Sequence, residues 1–458
     1  FCFPICILAL INILYASYFD YFLSVDSYVI SLIVSFFLGT FFFLIGRKSN
    51  KNISFIEQLI LILLVYFTVG FLISFPFYLS NFQITFINAF FESISGLTGT
   101  GFSSLKSIKY LDPTLILWRS SSQWIGGLYF LFFLILIFSN KKFNFKMTGL
   151  TFSGESSFNS KENLKDNILR IFILYCILSF IILTLLSFSG VRLYNSLNLS
   201  MTLISNGGFL PSDNLNEIIN TNLKKIILSI SFLFALFNFY LIINIFNKKI
   251  VAENHREDLF LFILSLILIL LIYFNDFDGL DLILSVLSSL TNSGIALIKS
   301  DNNLSLFFLF ITMIGGSLIS NSSGIKLIRF YILLKITSYE IIKLISPNSI
   351  INKTIFNSKN KISDENIKIS FLIFISFFIS LFILSSFLIL DKIDFESSFK
   401  LSILTLTNTV NSEMYSLQNL NFSNLLTSSK ISLIIFMIIG KIELISLFLI
   451  FKKLIFKE

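Results

Sequence analysis

"FESISGLTGTGFSS", residues 91–104, is the stretch whose reading decides the fold. It packs Gly96, Gly99 and Gly101, two threonines and four serines between two long apolar runs, in a chain with only 19 glycines. Backbone left without partners in lipid costs several kcal/mol per group, so bare polar backbone here needs a use.

The surroundings set the class. Hydrophobic residues make up 55% of the chain and charged ones 13%, and mean hydropathy is +0.86. Apolar runs long enough to cross a hydrocarbon core of roughly 30 Å as helices recur along the whole length. The chain therefore reads as an all-α polytopic membrane protein in the lipid bilayer. A net charge of +8 would suggest nucleic acid in a soluble protein. Here it fits the excess of Lys and Arg in cytoplasmic loops, and no nucleic-acid partner is expected. Cys2, Cys6 and Cys176 lie in apolar segments without metal or redox spacing, and His255 alone cannot build a His-rich metal site. The chain opens on Phe1, so its first apolar run reads as a truncated span rather than a signal peptide.

After two leading spans, near 2–17 and 27–46, one pattern repeats four times: a long apolar helix, a short one, a Gly/Ser/Thr/Asn bend and a second long helix. The sets fall near 55–139, 166–246, 257–345 and 366–454. Placing boundaries in the polar loops divides the chain into 1–53 (two N-terminal spans), 54–140, 141–247, 248–347 and 348–458 (units 1 to 4). The short members, near 84–97, 192–204, 280–291 and 394–407, cannot span a bilayer at about 1.5 Å per residue. Re-entrant half-helices of this kind are tolerated where they line a cavity or are buried in protein.

The bends can be laid on one another: "LTGTGFS" (97–103), "ISNGGFL" (204–210), "LTNSGIA" (290–296) and "LTNTVNSEM" (406–414). Gly101, Gly208 and Gly294 coincide, and at the fourth copy Asn411 is expected at the glycine position. Charge orients the whole. With the bends outside, the inward loops carry Arg47, Lys48 and Lys51, then Lys141, Lys142, Lys146, Lys161 and Lys165, then Lys248, Lys249 and Arg256, then Lys353, Lys359 and Lys361, and the tail has Lys452, Lys453 and Lys457. Asp112, Asp213, Asp276, Asp278, Asp281, Asp301, Asp391 and Asp394 cluster near the bends outside. The bends are thus expected extracytoplasmic and the C-terminus cytoplasmic.

A cation crossing a membrane must exchange its hydration shell for oxygens, and converging loops of backbone carbonyls supply them. Turning successive carbonyls inward needs backbone angles open mainly to glycine. Each bend follows a helix C-terminus, whose partial negative charge also favours a cation. A second glycine-rich element, "MIGGSLISNSSGIKLIRF" (313–330), interrupts the closing helix of unit 3 at mid-membrane depth. Non-helical backbone there implies a cavity, and the depth suits a movable plug at 313–326. Lys441 reads either as a barrier beneath a cation filter or as a side chain snorkelling to the inner interface. Glu92 reads as a first-turn carboxylate complementing its helix dipole. No phosphate loop, acid pair or nucleophile–base arrangement is visible, so no enzymatic activity and no bound cofactor are expected.

These segments resemble the Trk/Ktr/HKT superfamily of potassium transporters, and most nearly its Trk-type membrane subunit. "FFESISGLTGTGFSSL" (90–105) is similar to the first filter segment of that family, and "LWRSSSQWIGGLYFLFFLILI" (117–137) to the helix that follows it. "IGGSLISNSSGIKLIRF" (314–330) resembles its intramembrane loop, "SPNSIINKTIFNSKNKISDE" (346–365) its linker into the last unit, and "GKIELISLFLIF" (440–451) its final helix. The resemblance implies channel-like K⁺ uptake in the cytoplasmic (inner) membrane by a homodimer docked on a cytoplasmic ring of nucleotide-binding regulatory subunits. It also implies K⁺ held at filter carbonyls of Thr98, Gly99, Thr100, Gly101 and Phe102; Ser205, Asn206, Gly207, Gly208 and Phe209; Thr291, Asn292, Ser293, Gly294 and Ile295; and Asn408, Thr409, Val410, Asn411 and Ser412. The implied gate comprises Gly315, Gly316, Ser317, Ser322, Ser323, Gly324 and Lys326, with Lys441 as the basic residue that holds it. Asn411 in place of a fourth glycine makes Na⁺ or mixed permeation one alternative. A non-conducting relative with a structural or regulatory role is the other.

Overall fold

The computed structural model describes residues 1–21, 25–48, 53–82, 84–105, 107–138, 161–246, 255–273, 279–298, 302–347, 353–357, 362–417 and 420–442. Two leading helices, Cys2–Tyr18 and Val25–Gly46, pack on each other. Unit 1 follows as Phe55–Tyr78, the short helix Phe86–Thr98 and the closing helix Pro113–Phe138. Unit 2 is Lys161–Phe188, Leu193–Ser205 and a closing pair, Asn222–Leu236 and Phe239–Phe246. Unit 3 is Arg256–Ile272, Gly279–Thr291 and a closing pair, Asn302–Ile314 and Leu327–Ile345. Unit 4 is Asp364–Leu390, Phe395–Leu406 and Thr427–Ile442. The protein is an all-α polytopic membrane fold. Among the described residues, five helices are long and apolar enough to cross a membrane, or six if the closing pair of unit 2 counts as one span.

Local chemistry explains the starts and stops. Ser54 and Glu57 form a capping box, the Ser54 N–H donating to Glu57 Oε2 at 2.7 Å, and launch the first span of unit 1. Asp394 caps the fourth short helix by accepting from the Ser397 N–H at 2.9 Å. Many serines within the apolar helices return their hydroxyl to a carbonyl one turn back, as Ser376 does to Ile373 at 2.9 Å, which satisfies the donor where no water can. The short helices have 12 or 13 residues, which is about 20 Å and too little to span.

Each closing helix packs on the short helix of the next unit: unit 1 on 2, 2 on 3, 3 on 4 and 4 back on 1. The four units therefore close a ring, with unit 2 diagonal to unit 4. Glycines set its tightness. A Cβ at Gly126 would collide with the Leu97 carbonyl, and one at Gly440 with the Leu406 carbonyl. Both closing helices thus lie backbone to backbone against the C-terminal turn of their own short helix. Gly440→Ala is expected to destabilise the protein by about 1–3 kcal/mol, read as a lowered unfolding temperature in detergent. An unchanged temperature would contradict the close approach.

One closing helix departs from the expected continuous span. In unit 2 the chain bends by 101° between Leu236 and Phe239. Asn238 starts the new helix by accepting the Tyr240 N–H on its Oδ1 at 2.9 Å, while its own N–H goes to Asp258 Oδ1 at 2.9 Å. The carbonyl of Leu236 accepts the Ser317 N–H at 3.3 Å. A single polar residue in an apolar run gave no such signal locally, because its partners come from unit 3. Most of the inward loops used to orient the chain, including Lys51, 139–160, 247–254, Lys359, Lys361 and the tail from Glu443 onward, lie outside the described residues. So do Asp276, Asp278 and Asp301.

Candidate functional site: four bends and the loop beneath them

Every short helix ends on a residue in the left-handed region: Gly99 at φ 76°, Asn206 at 55°, Asn292 at 65° and Asn408 at 50°. Glycine and asparagine are the residues that adopt it most readily. The next N–H then reaches back five residues: Thr100 to Ser95 at 3.0 Å, Gly207 to Thr202 at 2.9 Å, Ser293 to Ser288 at 3.1 Å and Thr409 to Leu404 at 2.9 Å. The three asparagines also tie each bend to its own closing helix. Asn206 donates to Ala235 O at 3.5 Å, Asn292 to Thr312 O at 2.7 Å and Asn408 to Met437 O at 2.9 Å. In unit 1 glycine leaves that room empty, and Lys441 Nζ lies 3.8 Å from where a Cβ at Gly99 would stand.

This common geometry corrects the expected register of the fourth bend. Asn408, not Thr409, is the left-handed residue, so Thr407–Asn411 match Thr98–Phe102, and the stretch Asn408–Ser412 was placed one residue late. The hydroxyl pairs agree: Thr98 with Thr100 at 2.7 Å, Thr291 with Ser293 at 3.2 Å and Thr407 with Thr409 at 2.9 Å. Asn411 corresponds in register to Phe102, Phe209 and Ile295. The residue in the fourth glycine position is Val410. Gly101 and Gly294 take φ of 77° and 68°, an angle a β-branched side chain avoids, and Val410 does not adopt it.

The bends meet at one place. A Cβ at Gly101 would stand 2.7 Å from Gly208 Cα, and one at Gly294 would stand 2.7 Å from Val410 O. Asn408 Nδ2 reaches Thr100 Oγ1 at 3.0 Å, and Asn292 Nδ2 reaches Thr409 Oγ1 at 3.4 Å, linking unit 4 to both its neighbours. Thr98, Thr100, Ser205, Ser293 and Thr409 are all buried in this assembly.

Glu92 proves to be more than a dipole partner. It sits in the second turn of its helix, buried, and accepts the Ser104 N–H at 2.8 Å and the Ser103 hydroxyl at 3.1 Å. Arg119 Nε donates to Glu92 Oε1 at 2.9 Å, both side chains 1% exposed, and the guanidinium lies 4.0 Å over the Phe209 ring. The pair clamps the exit of bend 1 and reaches bend 2. Gln123 Oε1 accepts the Phe209 N–H at 3.3 Å. Neither Arg119 nor Gln123 was singled out from sequence. Two opposite charges 27 residues apart in apolar segments were the available signal. In the loops that follow the first two bends, Asp213 accepts from the Ser107 hydroxyl at 2.6 Å and the Ile108 N–H at 2.7 Å, tying the two loops together. Burial pushes its carboxyl up, but these donors outweigh that and leave it below the ordinary range.

Beneath the bends, 315–326 runs without helix between the two halves of the closing segment of unit 3. Gly315 and Gly324 take φ of 70° and 78°, and a Cβ on Gly315 would collide with the Ser323 carbonyl. Lys326 holds the loop from within, donating to Ser317 O at 3.1 Å, Ser320 O at 3.3 Å and Ser322 O. Ser322 Oγ accepts the Gly316 N–H at 2.9 Å. Asn321 reaches up to Ile204 O, at the C-terminal turn of the second short helix, at 2.7 Å. Lys441 does not snorkel. It is buried, donates to Asn321 O at 3.2 Å and Ser323 Oγ at 3.3 Å, and lies 4.4 Å from the Phe130 ring centroid. Leu318 and Ile319 anchor the loop sideways: the Leu318 N–H donates to buried Glu257 Oε1 at 3.1 Å, and Ile319 O accepts the Phe239 N–H at 3.0 Å. The bend in unit 2 thus exists to receive the loop of unit 3.

No family model matches the chain. It is 28% identical over 455 residues to an uncharacterized cation transporter of Methanocaldococcus jannaschii, covering 93% of this chain and 89% of that one. It is 24% identical over 453 residues to the Trk system potassium uptake protein TrkH of Escherichia coli, covering 93% and 91%. The crystal structure of the potassium transporter TrkH from Vibrio parahaemolyticus superposes with a TM-score of 0.83 at 19% identity, covering 98% of this chain and 97% of that one. The chain is similar over nearly its whole length to Trk system potassium uptake proteins. Resemblance read from short motifs thus extends over nearly the whole length, and the fold is the TrkH fold.

Proposed function

We propose that this chain passes potassium ions into the cell across the cytoplasmic membrane. Thr98–Phe102, Ser205–Phe209, Thr291–Ile295 and Thr407–Asn411 form the filter, facing outward. The 315–324 loop with Lys326 and Lys441 is the gate, the C-terminus lies in the cytoplasm, and K⁺ is cargo. The observation that carries this reading is the shared left-handed exit of four non-spanning helices that converge on one axis in a membrane protein. Converging polar backbone at four helix C-termini suits a cation stripped of water. Relatives named as potassium uptake proteins support K⁺ as the ion. A homodimer on a cytoplasmic nucleotide-binding ring completes the proposal.

The test is growth of a bacterium lacking its own K⁺ uptake at low external K⁺. Expression of the chain with its regulatory partner is expected to restore growth, with Rb⁺ entering the same cells. Entry of Na⁺ at a comparable rate in ion-replacement assays would instead support mixed permeation, whose ground now lies in Val410 rather than Asn411. A second reading, a relative that does not conduct, is favoured by that same valine. No growth despite correct membrane insertion would establish it.

A further inference from the structure

The fourth glycine position carries a side chain, and the ring order says where that side chain goes. Unit 4 is diagonal to unit 2. A Cβ at Gly208 would nevertheless collide with Val410 Cβ, so the valine reaches across the axis to the opposite bend. Its Cγ2 stands 3.0 Å from where a Cβ at Gly101 would be, and its Cγ1 3.0 Å from where one at Gly294 would be. The isopropyl group is therefore ringed by the three glycines of the other units. Gly101, Gly208 and Gly294 are buried, while Val410 is only half-buried. Methyl groups offer a cation no ligand, and a narrow apolar collar in a pore empties of water. Removing an ion's oxygens without replacement carries a heavy desolvation cost.

We propose that Val410 is the residue that limits ion passage through this pore, as an apolar constriction across the axis at the level of Gly101, Gly208 and Gly294. The inference rests on the transport reading above. An ion crosses this level only when the fourth bend carries the isopropyl group aside. The three glycines have a second role in this chain: besides freeing the backbone at Gly101 and Gly294, they make the room that Val410 fills.

The experiment is Tl⁺ influx into vesicles holding the full-length chain, comparing wild type with Val410→Gly and Val410→Ala. Each is also measured with Lys441→Met, so that a closed intramembrane loop does not mask the filter. Elution as a single species establishes that each variant folds, and the alanine variant carries the test if the glycine variant does not. Val410→Gly is expected to conduct at least about tenfold faster than wild type, with Val410→Ala between them. A silent wild type and a conducting Val410→Gly supports the proposal equally. If wild type conducts and neither variant is faster, the side chain is not in the path, and the proposal falls while the transport reading stands. If no variant conducts in either background, both fall.

Discussion

In a Val410→Gly background, where the filter no longer limits passage, Lys441→Met is expected to raise basal cation flux, measured without any regulatory partner, by roughly tenfold to a hundredfold. Hydrogen bonds from a charged donor are worth about 1.5–3 kcal/mol, and the factor is that range expressed as an equilibrium between held and released loop. The lysine holds Asn321 O and Ser323 Oγ, and the same Asn321 reaches the end of the second short helix. Releasing one end of this chain of contacts frees the loop below the bends. Removing the ammonium also lowers an electrostatic barrier to a cation, so both effects act in the same direction. Methionine preserves the length of the stem against Phe130, and its packing loss is small. Lys441→Arg keeps the charge and a donor, and its flux is expected to stay near wild type. Equal flux from folded Val410→Gly protein with and without Lys441→Met would remove the lysine from the gate.

Breaking the Glu92–Arg119 pair from one side is expected to cost about 3–5 kcal/mol, because the surviving charge is left buried and uncompensated. Arg119→Met strands a carboxylate that still accepts from Ser103 and Ser104, and Glu92→Met strands a guanidinium above Phe209. The double change to Met at both positions leaves no orphaned charge. It is expected to be less damaging than either single change, which thermal unfolding in detergent measures directly. Ion binding adds a second readout. Glu92 organises the exit of bend 1, so Glu92→Gln, which keeps an acceptor, is expected to weaken Tl⁺ binding more than it lowers stability. Single variants within about 0.5 kcal/mol of wild type, inside the range of ordinary surface changes, would falsify the clamp.

The non-spanning helices were legible because hydropathy run length is a local quantity. Their ends were legible because Gly and Asn mark left-handed exits. Expected spans such as 192–204 fall within a residue of the helix Leu193–Ser205. The interrupted segment was visible for the same reason, since no continuous helix accommodates Gly315, Gly316 and Gly324 with four intervening serines. The register of the fourth bend was not legible. "TNTVNS" offers two asparagines as candidates for one slot, and local pattern does not choose between them. The position of Lys441 was equally open, because reach to the inner interface and reach to Asn321 are both possible for a four-carbon stem.

The sequence by itself determined that this is a four-unit membrane bundle with half-helices ending in polar bends, since apolar length, helix-breaking residues and turn chemistry act over a few neighbouring positions. Only the tertiary structure decided which residues meet at the axis. Asn408 takes the left-handed exit, Val410 reaches toward Gly208, Arg119 finds Glu92, and unit 2 bends to seat the loop of unit 3. Each of those outcomes depends on atoms brought together from segments far apart in the chain, where packing and the cost of an unpartnered polar group in lipid set the answer.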